Sequence, residues 1–201
     1  MAILEQKPEH YMRWGKYRKD ITWSCSIKLD QVNKAKVILD ADVVIHFSKG
    51  GYLSILPTIL SGYEHIVLDK VYEEIKHVIK IQLDNQINIL KNIKLEKYAP
   101  KGAEMIEFAQ LSRKIGKGES ACLAYCRFNQ NVIGSSNLSD IKKYCETNQI
   151  TYLTTLDFLY FAIQKKIMSV SDADEFIRTV IDKDSKLPNI SMATYVCTVK
   201  I

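Results

Sequence analysis

Residues 115–140, IGKGESACLAYCRFNQNVIGSSNLSD, carry three features in a row. Gly116 and Gly118 open a turn, and Glu119 stands at the first position of an apolar segment. Cys122, Leu123, Ala124 and Cys126 continue at helical spacing, which predicts a helix with an acid at its start. Asn131-Val-Ile-Gly134 is then a short strand that ends in the polar cluster Ser135-Ser136-Asn137. Open α/β sheets place ligands at the carboxyl ends of their strands. The remaining segments decide whether matching chemistry reaches the same edge.

Working outward, the same strand-then-helix order recurs. Lys36–Leu39 is a short apolar strand, with Asp40 at the junction to a helix that starts near Val43 and breaks at Gly50-Gly51. Residues Tyr52 to Leu60 read as helical, with a kink or break at Pro57. Glu64–Leu68 is the next strand, and Asp69 is placed to cap a helix over 70–80. Residues 82–98 are ambiguous between strand and helix, and 103–113 read as a helix. A helix over 138–148 and a strand over 150–154 follow residue 137, then a helix over 155–166. Ser171 or Asp172 is expected to cap a last helix over 173–181, and residues 194–201 read as an edge strand. Short, apolar, non-alternating strands between helices mark a parallel sheet covered on both faces. The expected fold is α/β, a three-layer α/β/α sandwich with a mainly parallel central sheet.

Composition narrows the class. Of 201 residues, 47% are hydrophobic and 25% charged, an ordinary globular balance with enough apolar side chains for one core. The net charge of +5 tilts mildly toward anionic partners. Five cysteines, odd in number and without a Cys-x-x-Cys pair, argue for reduced thiols and a cytoplasmic protein. Cys122 and Cys126, four apart, are compatible with zinc alongside Cys145 or a His, but buried cysteines commonly serve as small core residues. No run approaches a membrane span, so no membrane partner is expected. The expected organisation is a basic and aromatic extension (1–34), a main domain (35–182) and a C-terminal tail (183–201). Basic and aromatic residues interleaved in the extension suit either a nucleic-acid strand or a protein surface.

Polar groups from segments far apart in sequence converge on the expected strand edge. They are Asp40, Glu74, Glu119, Asn137 with its serine neighbours, and Asp157. Alone, each has a plain alternative as a helix cap, a helix-dipole partner or a solvated face. Together, carboxylates so gathered repel unless a cation neutralises them, and oxygen ligands suit Mg²⁺ or Mn²⁺. The chain has no P-loop, no dinucleotide fingerprint and no nucleophile elbow.

These motifs resemble the PIN-domain ribonucleases, in particular small bacterial members related to toxin–antitoxin nucleases. Asp40-Ala-Asp42 followed by Val43-Val-Ile45 is similar to that family's opening acid and apolar helix. Asp69-Lys-Val-Tyr-Glu-Glu74-Ile resembles its second-strand segment, and Gly116-Lys-Gly-Glu119-Ser-Ala-Cys-Leu-Ala124 its Gly-x-Gly-Glu helix start. Residues 150–159 are similar to the family's final strand and helix. The departure is Ser135-Ser136-Asn137, where the family usually carries one or two Asp. An amide oxygen can ligate a hard cation but brings no charge, so the resemblance implies weaker metal binding unless Asp140 or Asp157 compensates.

The resemblance implies an endoribonuclease dependent on Mg²⁺ or Mn²⁺, acting on single-stranded or structured RNA. Asp40, Glu119, Asn137 and Asp157 would be the metal ligands, with Glu74 also catalytic, and Lys117, Lys142 and Lys143 would steer RNA. It further implies an antitoxin protein and a second copy of the chain as partners. The alternative is a PIN-like RNA- or protein-binding module with a weakened catalytic site.

Overall fold

The computed structural model describes residues 34–201, so the N-terminal extension, apart from Lys34, lies outside the described residues. Five parallel strands form one sheet in the order β3-β2-β1-β4-β5. They are β1 (Lys36–Leu39), β2 (Glu64–Leu68), β3 (Lys94–Glu96), β4 (Val132–Gly134) and β5 (Tyr152–Leu153). Helices on both faces complete a three-layer α/β/α arrangement, as the short apolar strands predict.

The chain order explains where a crevice opens. Strands β1, β2 and β3 step in one direction, and the chain then returns to lay β4 on the other side of β1. In register, Leu39 pairs with Gly134, so the two strands end level with each other. The topological switch therefore lies between the carboxyl ends of β1 and β4, and Asp40 and Ser135 are the first residues beyond them.

Nine α-helices lie among the described residues. Helix α1 (Ala41–Lys49) packs with α9 (Val170–Asp182), and α2 (Leu56–Ile59) with α8 (Thr155–Gln164). Helix α6 (Lys117–Asn129) packs with α3 (Asp69–Glu74), α5 (Gly102–Leu111) and α7 (Leu138–Asn148). Every residue of α6 from Gly118 to Ala124 is buried, and their small side chains let neighbouring helices approach on several sides.

Several boundaries differ from the sequence reading, each for a local reason. Pro57 lies in the first turn of α2, where its missing N–H costs nothing, so it starts that helix and no kink is needed. The helix expected over 70–80 is two helices, α3 and α4 (His77–Asp84), because Ile75 and Lys76 between them take extended backbone. Asp69 is the first residue of α3 and not its cap; its carboxylate accepts from Tyr98 N at 3.0 Å and ties down the segment after β3. The ambiguous stretch resolves into the end of α4, a π-helical turn (Asn85–Leu90) and β3.

The cap of α9 is Ser169, in a capping box with Asp172. The tail does not form the expected edge strand. Asp174 takes the Met192 amide at 2.7 Å and the Ser191 hydroxyl at 2.8 Å, bending residues 191–194 into a turn.

An aromatic cluster joins α1 to α8 and α9. The Phe47 ring meets Phe176 at 5.1 Å and Phe158 edge-on at 6.1 Å, and all three are fully buried. Each such ring contributes about 1.5–3 kcal/mol by burial. Gly50 ends α1 directly against this cluster. A Cβ there would stand 2.3 Å from Phe176. Gly50→Ala is therefore expected to destabilise the protein by about 1–3 kcal/mol. Chemical denaturation should show a lower midpoint with an unchanged slope, and combining it with Phe176→Leu should cost less than the two changes added.

Candidate active site

Asp40 follows β1 as the N-cap of α1. Its Oδ1 accepts from the Ala41 amide at 2.8 Å, and its Oδ2 accepts from the Ser135 hydroxyl at 3.0 Å across the switch point. Asp42, in the first turn of α1, accepts from the Val43 amide at 2.6 Å and the Ser136 amide at 2.7 Å. Two carboxylates from one helix start thus grip the turn after β4. Glu119, in the first turn of α6, points at the same place, is 7% exposed, and leaves its Oε1 buried without a hydrogen-bond partner.

The electrostatics follow from this gathering. Burial, then the neighbouring charge of Asp42, raises the Asp40 carboxyl well above the carboxylate range, and burial raises Asp42 as well. Glu119 is pushed up to about 8, first by burial and then by the charges of Asp40, Asp140 and Asp42, while a hydrogen bond from Asn137 works the other way.

The other expected site residues occupy distinct positions. Asn137 bridges the rim. Its amide donates to Asp140 at 2.9 Å, and its Oδ1 accepts from the Ser139 hydroxyl at 2.7 Å. Glu74, at the end of α3, also raises Asp40, and its Oε1 accepts from the Gly118 amide at 2.8 Å. A Cβ on Gly118 would stand 2.5 Å from the other Glu74 oxygen, so the second glycine of the Gly-Lys-Gly turn is what lets that carboxylate approach.

Asp157 is engaged elsewhere. Its Oδ2 accepts from the Thr154 amide and hydroxyl at 2.8 and 2.7 Å in the capping box of α8, and its Oδ1 accepts from Tyr195 at 2.7 Å. With both oxygens committed, Asp157 holds the start of α8 and the C-terminal segment together and is not brought into the acid cluster. Asp42 and Asp140 stand there instead. Spacing could have found Asp42, two residues after Asp40 at a helix start. Asp140, one of the two acids expected to compensate for Asn137, joins the cluster from the first turn of α7.

Buried Asp40 and Glu119 and half-buried Asp42, gathered with one carboxylate oxygen left unpartnered, are oxygen donors that fit a hard divalent cation. No group of three or more His, Cys, Asp or Glu side chains is arranged around an ion position among the described residues. Cys122, Cys126 and Cys145 are core: all three are fully buried, and burial raises their thiols. No described helix is long and apolar enough to cross a membrane.

The acids set a testable pH dependence. With its pKa raised from 4.5 to about 8, folded Glu119 holds its proton where the unfolded chain has lost it, so stability falls as pH rises through that interval. Buried His46 and His65, lowered from 6.5 to about 4, act oppositely below 6.5. Among the described residues with resolved shifts, the acids are the groups that act between pH 6.5 and 8. Thermal melts in EDTA should therefore fall across that window, and Glu119→Gln should flatten the fall.

No curated protein matches the chain. A protein-family model described as a PIN domain matches residues 36–194, a span running from the first residue of β1 to beyond α9 and including every acid of the cluster. PIN domains are generally nucleases and typically use divalent metals. By this match over most of its length, the chain belongs to the PIN-domain family.

Proposed function

We propose that the protein is a metal-dependent endoribonuclease whose ion is held by Asp40, Asp42 and Glu119, with Asn137 and Asp140 at the rim. The observation that carries this reading is the unpartnered buried Oε1 of Glu119, facing two raised aspartates at the switch point of a PIN-family sheet. A bound Mg²⁺ or Mn²⁺ supplies an activated water and charge neutralisation at a phosphodiester.

The chain's own contribution is orientation. The Ala41 and Val43 amides hold Asp40 and Asp42 from α1, and Ser135 and Ser136 hold the same pair from the turn after β4. Glu74 fixes the start of α6, and with it Glu119, through the Gly118 amide. Lys117, Lys142 and Lys143 are exposed on the helices that carry Glu119 and Asp140, and they draw an RNA backbone toward the acids. Asp157 acts by position, through α8 and Tyr195.

Two observations favour a binding module instead: Asn137 brings no charge where the family usually carries Asp, and the described acids do not enclose an ion position. Calorimetric titration with Mn²⁺ separates the two, since the nuclease reading requires binding that Asn137→Asp strengthens.

Labelled single-stranded RNA with Mn²⁺ should be cleaved, and Asp40→Ala or Glu119→Gln should lower the rate by about a hundredfold or more. Equal cleavage by the wild type and Asp40→Ala would refute the proposal. Asp157→Ala should behave differently, lowering unfolding stability by about 1–2 kcal/mol through loss of the capping box. Below its lowered melting temperature it should keep most of its cleavage rate.

A further inference from the structure

Beside the acids lies a cavity of about 660 Å³ that the catalytic reading leaves unused. Asp42, Asn137, Ser185 and Lys186 line it together with Asp184 and His46, and Ile45 and Leu138 give it apolar surface. We propose that this cavity is a nucleotide subsite, taking the ribonucleotide next to the scissile phosphate, with Lys186 on that nucleotide's own phosphate. The inference rests on the ribonuclease reading for the identity of the polymer.

Three observations support it. The cavity shares Asp42 and Asn137 with the acid cluster, so a strand whose phosphate sits at the acids continues directly into it. Its volume falls in the range of small-ligand pockets, and its lining sets Ile45 and Leu138 for a base face beside serine hydroxyls and the Asp42 and Asp184 carboxylates, which can accept from sugar hydroxyls. Lys186 is exposed and has no carboxylate partner among the described residues, so its charge is available to a phosphate.

The part of the lining at Ser185 and Lys186 is built into the fold. Lys49, at the end of α1, donates to the Asp184 carbonyl at 3.1 Å and to the Ser185 hydroxyl at 2.9 Å. Lys183 returns a bond to the Lys49 carbonyl at 2.7 Å. Asp184 takes left-handed backbone (φ 58°), turning the chain back along the cavity after α9. This reciprocal clasp fixes the segment that brings Ser185 and Lys186 to the cavity.

Binding, read separately from cleavage, tests the subsite. Fluorescence anisotropy would follow a short labelled single-stranded RNA with the full-length chain in an Asp40→Asn background, with Mg²⁺ present. Lys186→Glu is compared there with Lys165→Glu, the same charge change past the far end of α8. Lys186→Glu should weaken binding about tenfold, equally for different sequences, and reduce the salt slope by about 1, as loss of one phosphate contact does. Lys165→Glu should change affinity less than twofold.

Equal weakening by both variants would reduce Lys186 to part of a general field and overturn the subsite, as would absence of RNA binding. Cleavage by the wild type with a normal KM in Lys186→Glu would overturn the subsite and leave the ribonuclease reading intact. RNA bound through Lys186 but never cleaved with Mn²⁺ would overturn the ribonuclease reading and leave the cavity as an RNA-binding site only.

Discussion

Asp40, Asp42 and Glu119 are brought out of water toward one another, and the surrounding structure is arranged to bear that cost. Two nearby carboxylates in a buried site cannot both ionise freely. The chain answers with hydrogen-bond donors: the Ala41 and Val43 amides at the start of α1, and Ser135 with the Ser136 amide at the end of β4. Ser135 and Ser136 reach the aspartates because β1 and β4 end level and adjacent, so the sheet order itself is a condition of the site. What the donors leave uncompensated is the unpartnered oxygen of Glu119. Gathering these acids costs stability, which is a recurring cost of functional sites.

The third acid depends on a contact between two other elements. Glu119 is placed by α6, and α6 is placed by packing against α3 and by the bond from the Gly118 amide to Glu74. That bond needs a residue without a Cβ at 118. The Gly-Lys-Gly turn therefore serves two ends: it starts the helix, and it lets a fourth carboxylate close in on the cluster from outside. Glu74 is exposed, so it adds negative charge near Asp40 without paying the full desolvation of a buried acid.

Much of this was legible from residues alone, and the failures have physical causes. Parallel topology follows from short apolar strands between helices, and β1, β2 and β4 stand where their apolar runs end in polar residues. Helix ends are less legible because capping residues look alike in one dimension. Thr154-x-x-Asp157 and Ser169-x-x-Asp172 are the same device, with the second acid turned back on the first residue's amide. Read by position, Asp157 follows a strand like Asp40 and looks like a ligand. What separates them is three-dimensional: Asp40 faces Ser135 across the sheet, whereas Asp157 faces Thr154 and Tyr195. Tyr195 lies 38 residues on, and no local pattern announces that pairing.

The C-terminal segment carries the same lesson further. Residues 183–193 show no periodicity, and the strand expected over 194–201 does not form, because those residues pair with no neighbouring strand. In three dimensions they are secured at three points: by Lys49 at 183–185, by Asp174 at 191–192 and by Asp157 at Tyr195. All three anchors are charged side chains on helices α1, α9 and α8, each using a fixed charge to hold backbone or hydroxyl groups that no sheet satisfies. A segment tied by side chains in place of a ladder can follow the contour of the molecule. Here that contour runs past the acids, which is how a stretch without regular structure comes to form a wall of the cavity beside them.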